Sequence, residues 1–255
     1  MDSSLVELVE LQLKVTDVHP CLESFHPIAI KYKDSLLVFD FDISSGSYTL
    51  IKKITQPFPL PEEIQASFPL SEYDNKASCI ITPKTFNSNK GYATVLHEFV
   101  HCCQFNNIEL ALKQELEIYK EAIEKEDYSW EITYNFPYDD SLFIYYYDNF
   151  KEALQLNKLE QAKKFRQKIR EKIGEKNFEY LNWVEWKEGL ARFIENKIRE
   201  KLGIDQNNYG KEKPYDRVAF YYSGQLLINF LASINKSLPA NMELLYKKIK
   251  NFHLK

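Results

Sequence analysis

The chain has 255 residues, 44 % of them apolar and 15 % aromatic, and carries a net charge of −4 with both signs interspersed. That length supports one large domain or two modest lobes around a sizeable core. No basic tract gives nucleic-acid binding electrostatic support, and no apolar run approaches the length of a bilayer span.

The start, Met1-Asp2-Ser3-Ser4, lacks a basic segment, and Glu7 and Glu10 interrupt the apolar residues that follow. No signal peptide is expected, and a cytoplasmic location follows from that expectation. Residues 3–18 read as a short helix. The stretches 35–41 and 47–51 flank Ser44-Ser45-Gly46 and read as a β-hairpin. A loop punctuated by Pro57, Pro59, Pro61 and Pro69 precedes a strand at 78–82, which Pro83 ends. The first ninety residues are therefore expected to be a small mixed α/β lobe with an antiparallel sheet.

After Gly91 the pattern becomes almost wholly helical. Helices are expected at 91–105, at 108–126, where Ile108, Leu112, Leu116, Tyr119 and Ile123 make one stripe, and then at 141–156, 158–173, 176–202, 215–235 and 240–251. The aromatic segment 127–140 reads as a loop. The fold class is α+β: one compact unit whose lobes, 1–90 and 91–255, meet near residue 90. Cys21, Cys79, Cys102 and Cys103 are spaced neither as a zinc ribbon nor as a disulfide scaffold, so reduced and mostly buried thiols are expected. A second reading places Cys102, one turn after Glu98, near a cleft and open to oxidation.

The stretch His97-Glu98-Phe99-Val100-His101 organises the rest. Histidines four apart on a helix stand about 40° apart on one face, so their imidazoles can share a small cation. Glu98 lies beside them, where a base takes a proton from an activated water. Asn87-Ser88-Asn89 can cap such a helix, and Val95, Leu96, Phe99, Val100 and Cys103 supply its core positions. The plainer reading is a packed helix that happens to carry two histidines.

A catalytic zinc needs a third protein ligand and an open position for water. In the stretch 183–195 a helical projection puts Val184, Glu188, Ala191, Glu195 and Ile198 on one line, with Glu188 and Glu195 its only charges. Buried carboxylates need partners, and a metal and a metal-bound histidine are such partners. Glu188 is the candidate ligand. Glu195, two turns on, is the candidate acceptor for the outer N–H of a ligating histidine. The alternative pairs Glu188 with Arg192 on the surface. Glu185 falls with Arg192, Asn196 and Arg199 on the polar side. Gly189 and Ala191 would let two helices approach closely.

The pattern H-E-x-x-H-x-x-Q, followed by W-x-E-G-L-A-x-F-x-E, resembles the gluzincin metallopeptidases, the thermolysin-like and aminopeptidase-like clan of zincins. The match covers two helices. The metzincin form is excluded, because Gln104 and Asn107 stand where it needs Gly and His, and the aminopeptidase signature G-x-M-E-N is absent. The resemblance implies a zincin-like fold with the active site between lobes, zinc held by His97, His101 and Glu188, Glu98 as general base, and Glu195 in support. It also implies that Tyr221, in Phe220-Tyr221-Tyr222-Ser223-Gly224, donates a hydrogen bond to the oxyanion, the alternative being a core tyrosine. The implied partner is a peptide or protein substrate, held along the strand at 78–82 if that strand is an edge. Neither nucleic acid nor membrane is an expected partner. Two other readings stay open: a metal-binding protein without peptidase activity, and a helical interaction protein with a coincidental motif.

Overall fold

The computed structural model describes residues 2–254. They form two compact units, one comprising the chain up to Asn107 together with Ile194–Gln206, the other Ile108–Phe193 and Asn207 onward.

The first unit opens with helix α1 (Asp2–Val15) and continues through strands β1 (Ile28–Tyr32), β2 (Ser35–Asp42), β3 (Ser47–Thr55), β4 (Gln65–Leu70) and β5 (Lys76–Ile81) to helix α2 (Asn89–Gln104). The strands make one sheet in the order β3-β2-β1-β5-β4. Its β1–β5 pair is parallel, in the register Ile28↔Cys79 and Ile30↔Ile81, and its other pairs are antiparallel. The sheet is thus mixed, which corrects the expected antiparallel arrangement. Burial explains the sequence pattern of the inner strands. Ala29, Leu36, Val38 and Ile80 pack with Leu60, Ile64 and Tyr73 on one side. Ile28, Ile30, Cys79 and Ile81 alternate with them and are fully buried too. Strands covered on both faces read as continuous apolar runs rather than as alternation. Helix α2 packs against β4 and β5.

Strand β5 is an inner strand, so the idea that 78–82 offers an edge for a peptide is wrong. The edges are β3 and β4. β4 contains Pro69, which an edge strand tolerates because one side of it needs no ladder donor. The expectation of four reduced thiols is also corrected. Cys21 and Cys103 form a disulfide with Cα atoms 5.5 Å apart, tying the last turn of α2 to the turn at Pro20–Leu22. Cys79 and Cys102 are buried thiols, and burial pushes the Cys79 thiol well above its usual range. Cys102 is fully buried rather than open to a cleft.

The second unit is helical. The chain leaves α2 through a π-turn at Phe105–Glu109 and then forms α3 (Leu110–Gln114), α4 (Glu117–Glu124), α5 (Trp130–Thr133), α6 (Ser141–Gln155), α7 (Leu159–Lys201), α8 (Ala219–Ile234) and α9 (Met242–Lys250). The single helix expected over 108–126 is broken at Leu116, whose backbone is extended, and the expected loop 127–140 contains α5. Helix α7 kinks at Gly174, where φ is +77°, and carries the chain from this unit into Ile194–Gln206 of the first. Phe136, Phe143, Tyr147, Tyr180 and Phe220 make an edge-to-face aromatic core with centroids 4.9 to 6.4 Å apart. Helices α7 and α8 cross at Gly189 and Gly224. A Cβ on Gly189 would stand 2.6 Å from the Gly224 Cα, so backbone meets backbone there and any side chain would force the helices apart. No helix among the described residues is long and apolar enough to cross a membrane.

Candidate metal centre

Ser88 caps α2 by accepting from the Gly91 N–H at 3.2 Å, which fixes the register of the helix that carries the motif. Val95, Leu96, Phe99 and Val100 are fully buried, and they orient the polar residues interleaved with them. His97 and His101 are both buried. Their Nε2 atoms face each other at 3.2 Å. The outer nitrogens are held from behind: His97 Nδ1 meets Glu195 Oε2 at 3.0 Å, and His101 Nδ1 meets Gln104 Oε1 at 2.8 Å.

These outer bonds set the tautomers. A carboxylate oxygen and an amide oxygen only accept, so each Nδ1 carries its proton. A neutral ring then presents a lone pair at Nε2. Two lone pairs pointed at each other repel unless a cation or a proton lies between them. Tetrahedral zinc with Zn–N bonds of 2.0–2.1 Å needs an N···N edge of about 3.3 Å, which matches the spacing found.

Helix α7 is continuous beyond Gly174 and carries Glu188 two turns before Glu195. His97, His101 and Glu188 each offer one ligand atom, all within 4.8 Å of one another. Among the described residues this is the one group of three or more such side chains that could hold an ion. Glu195 also accepts from Arg199 Nε at 2.8 Å, so its two oxygens are divided between the imidazole and the guanidinium. Glu98 follows His97 directly on α2 and is buried, 7 % exposed.

Glu188 does not pair with Arg192 on the surface. Arg192 is buried and donates to the carbonyls of Asn207 and Tyr209. The partner found is Arg217, whose Nη2 lies 2.8 Å from Glu188 Oε1. Arg217 Nη1 donates to the Tyr221 hydroxyl, so one guanidinium links the two residues. Tyr221 is half-buried, whereas Tyr222 is buried and accepts from Gln155 at 3.1 Å.

Glu185 is a correction. It is not on a solvated side but fully buried, held by Arg166 and by Ser223 Oγ at 2.6 Å. Arg192, Asn196 and Arg199 are buried as well, because α7 is enclosed on nearly all sides over 180–199. Sequence reasoning also missed Gln104, Arg199 and Arg217. The first two lie three and four residues from the partners they hold, a spacing that could have found them. Arg217 reaches Glu188 from a loop, and no spacing rule connects them.

A cavity of about 670 Å³ lies in the second unit among Phe178, Tyr246, Arg170 and His253, and none of His97, Glu98, His101, Glu188, Glu195 or Tyr221 lines it. Comparison of the chain with known protein families, with curated proteins and with solved structures returned no match.

Proposed function

We propose that this protein is a zinc-dependent peptide hydrolase in the manner of the gluzincins. His97, His101 and Glu188 would hold the ion. The observation that supports this most directly is the convergence of two Nε2 lone pairs at 3.2 Å, with both Nδ1 atoms bonded behind them. Zinc, when bound, supplies Lewis-acid polarisation and acidifies water in its open position. Glu98, next to His97 on α2, would accept the proton of the attacking water and return it to the leaving amine. Glu195 and Gln104 keep the imidazoles in the tautomer that faces the ion. Tyr221, tied through Arg217 to Glu188, donates to the carbonyl oxygen as charge develops on it.

The test has two parts. Elemental analysis of protein purified without chelators should find one zinc per chain. A peptide library incubated with that protein should show cleavage that a chelator stops and zinc restores. One bound zinc with no cleavage of any peptide would favour a metal protein without peptidase activity. Absence of metal would return the histidines to a packing role.

A further inference from the structure

One oxygen of Glu188 is already taken by a cation of the protein's own. Arg217 Nη2 donates to Oε1 at 2.8 Å, and the guanidinium is braced by the Tyr221 hydroxyl at its other end. An arginine in this setting does not lose its proton. We propose that Arg217 is a built-in competitor for the metal: it neutralises Glu188 and thereby lowers the affinity of the His97–His101–Glu188 cluster for a divalent cation. This inference rests on the metal reading above.

The argument is one of charge. A divalent ion and a guanidinium that share one carboxylate repel each other, and in a partly desolvated site that repulsion is little screened. It cannot be relieved by deprotonation, so it must be relieved by movement. Arg217 has 21 % of its side chain exposed, against 9 % for Glu188. Taking the guanidinium away from a buried carboxylate is costly in its turn. Arg217 therefore acts in opposite directions on two observables: it stabilises the metal-free fold and weakens the metal complex. A residue that merely positioned Glu188 would act in the same direction on both.

The experiment uses the full chain and zinc alone. Zinc affinity is measured by competition with a chromophoric chelator for the wild type, Arg217→Met and Arg217→Lys, and thermal melts are run in EDTA and in saturating zinc. Arg217→Met should bind zinc about tenfold more tightly or better, melt lower in EDTA, and gain more from zinc than the wild type does. Arg217→Lys keeps the charge and should bind zinc within about threefold of the wild type. An Arg217→Met protein that folds only with zinc is the limiting form of the expected result. If it fails to fold under either condition, Arg217→Gln, which can still donate to Glu188, takes its place with the same expectation. Unchanged or weaker zinc binding in the neutral variant, with the wild type binding zinc, overturns the competitor role alone. Zinc binding by none of these proteins overturns the metal reading and this inference with it.

Discussion

Two clusters of buried charge are resolved differently. Glu109, Lys113, Glu131 and Lys187 form a closed ring in which signs alternate. Lys113 bonds Glu109 at 2.7 Å and Glu131 at 2.5 Å, and Lys187 bonds the same two carboxylates at 2.9 and 2.8 Å. Two positive and two negative groups cancel, and the ring fastens the end of the π-turn and α5 to α7. The His97–His101–Glu188 cluster is not closed in this way. Its outer atoms are held by neighbours, while its inner nitrogens converge on each other. Charge compensated from within is architecture, whereas donor atoms aimed at one point, with their backs held, favour something that is not part of the chain. Removing a ring member should therefore cost stability. Removing a member of the cluster should cost metal or turnover at little cost in stability.

Glu98→Gln gives the largest expected effect. The amide keeps the size and helix position of the carboxylate but cannot accept a proton. Peptide hydrolysis should fall by about three orders of magnitude or more, while zinc content stays at one per chain. Turnover close to wild type would remove Glu98 from the mechanism and leave the cluster as a binding site.

The comparison sharpens within one helix. Glu188→Ala should weaken zinc binding by roughly 100-fold or more, with less loss of metal-free stability than Glu185→Ala, since 21 % of the Arg217 side chain is exposed whereas Arg166 is fully buried. Glu185→Ala should do the reverse. It strands the fully buried Arg166 and should cost about 3–5 kcal/mol in a denaturant titration, with zinc affinity unchanged. Matching effects of the two substitutions on zinc would erase the distinction drawn here. Glu195→Ala should fall between them, weakening zinc about 10 to 100-fold.

Parts of this were legible in the residues because they depend on local spacing. His97 and His101 are one turn apart, and Ser88 caps their helix. Glu188 and Glu195 stand on one line of α7, and Gly189 and Gly224 are small where two helices cross. The hairpin of β2 and β3 is announced by its turn residues. What escaped is non-local or runs against propensity. The parallel β1–β5 pair joins segments about fifty residues apart, and no pattern inside either one announces its partner. Pro69 disguised β4 as loop. The break at Leu116 has no Gly or Pro to mark it, and the apolar stripe runs through it undisturbed. The Cys21–Cys103 pairing depends on the fold having brought the two residues together. Glu185 looked solvated because its stripe is charged, yet its partner Arg166 lies nineteen residues earlier on the far side of the Gly174 kink.

Tyr221 and Tyr222 test the same contrast at the level of one hydroxyl. Tyr221 is bound to the guanidinium that holds Glu188, while Tyr222 is bound to Gln155. Tyr221→Phe should lower kcat by about 10 to 1,000-fold with KM nearly unchanged, since the hydroxyl acts on charge present only in the transition state. Tyr222→Phe should lose about 1 kcal/mol of stability and nothing in turnover. Exchanged phenotypes would reassign the oxyanion donor.

The effect expected of the ring is one of stability alone, and its sign follows from the carboxylates. Burial would raise the pKa of Glu131, but the ammonium groups of Lys187 and Lys113 outweigh burial and hold it down to about 2. Glu109 is lowered by the same two lysines against the same penalty. A carboxyl whose folded pKa lies below its unfolded value contributes stability that is fully present above the unfolded value, near 4.3. That contribution fades as pH falls from about 5 toward about 2. Lys187 has the opposite sense. Glu131 and Glu109 raise its pKa despite burial, so its share persists through neutral pH and is lost only as pH climbs above the ordinary lysine range. Glu131→Gln keeps the shape of the ring and removes one charge. It should cost on the order of 1–3 kcal/mol between pH 6 and 9, a gap to the wild type that narrows steadily below pH 5 and nearly closes at pH 2. Zinc binding should change little in the neutral range, because Glu131 is not among the residues that could hold the ion. A gap that stayed constant from pH 7 to pH 2 would mean that packing, not charge, makes the ring stable.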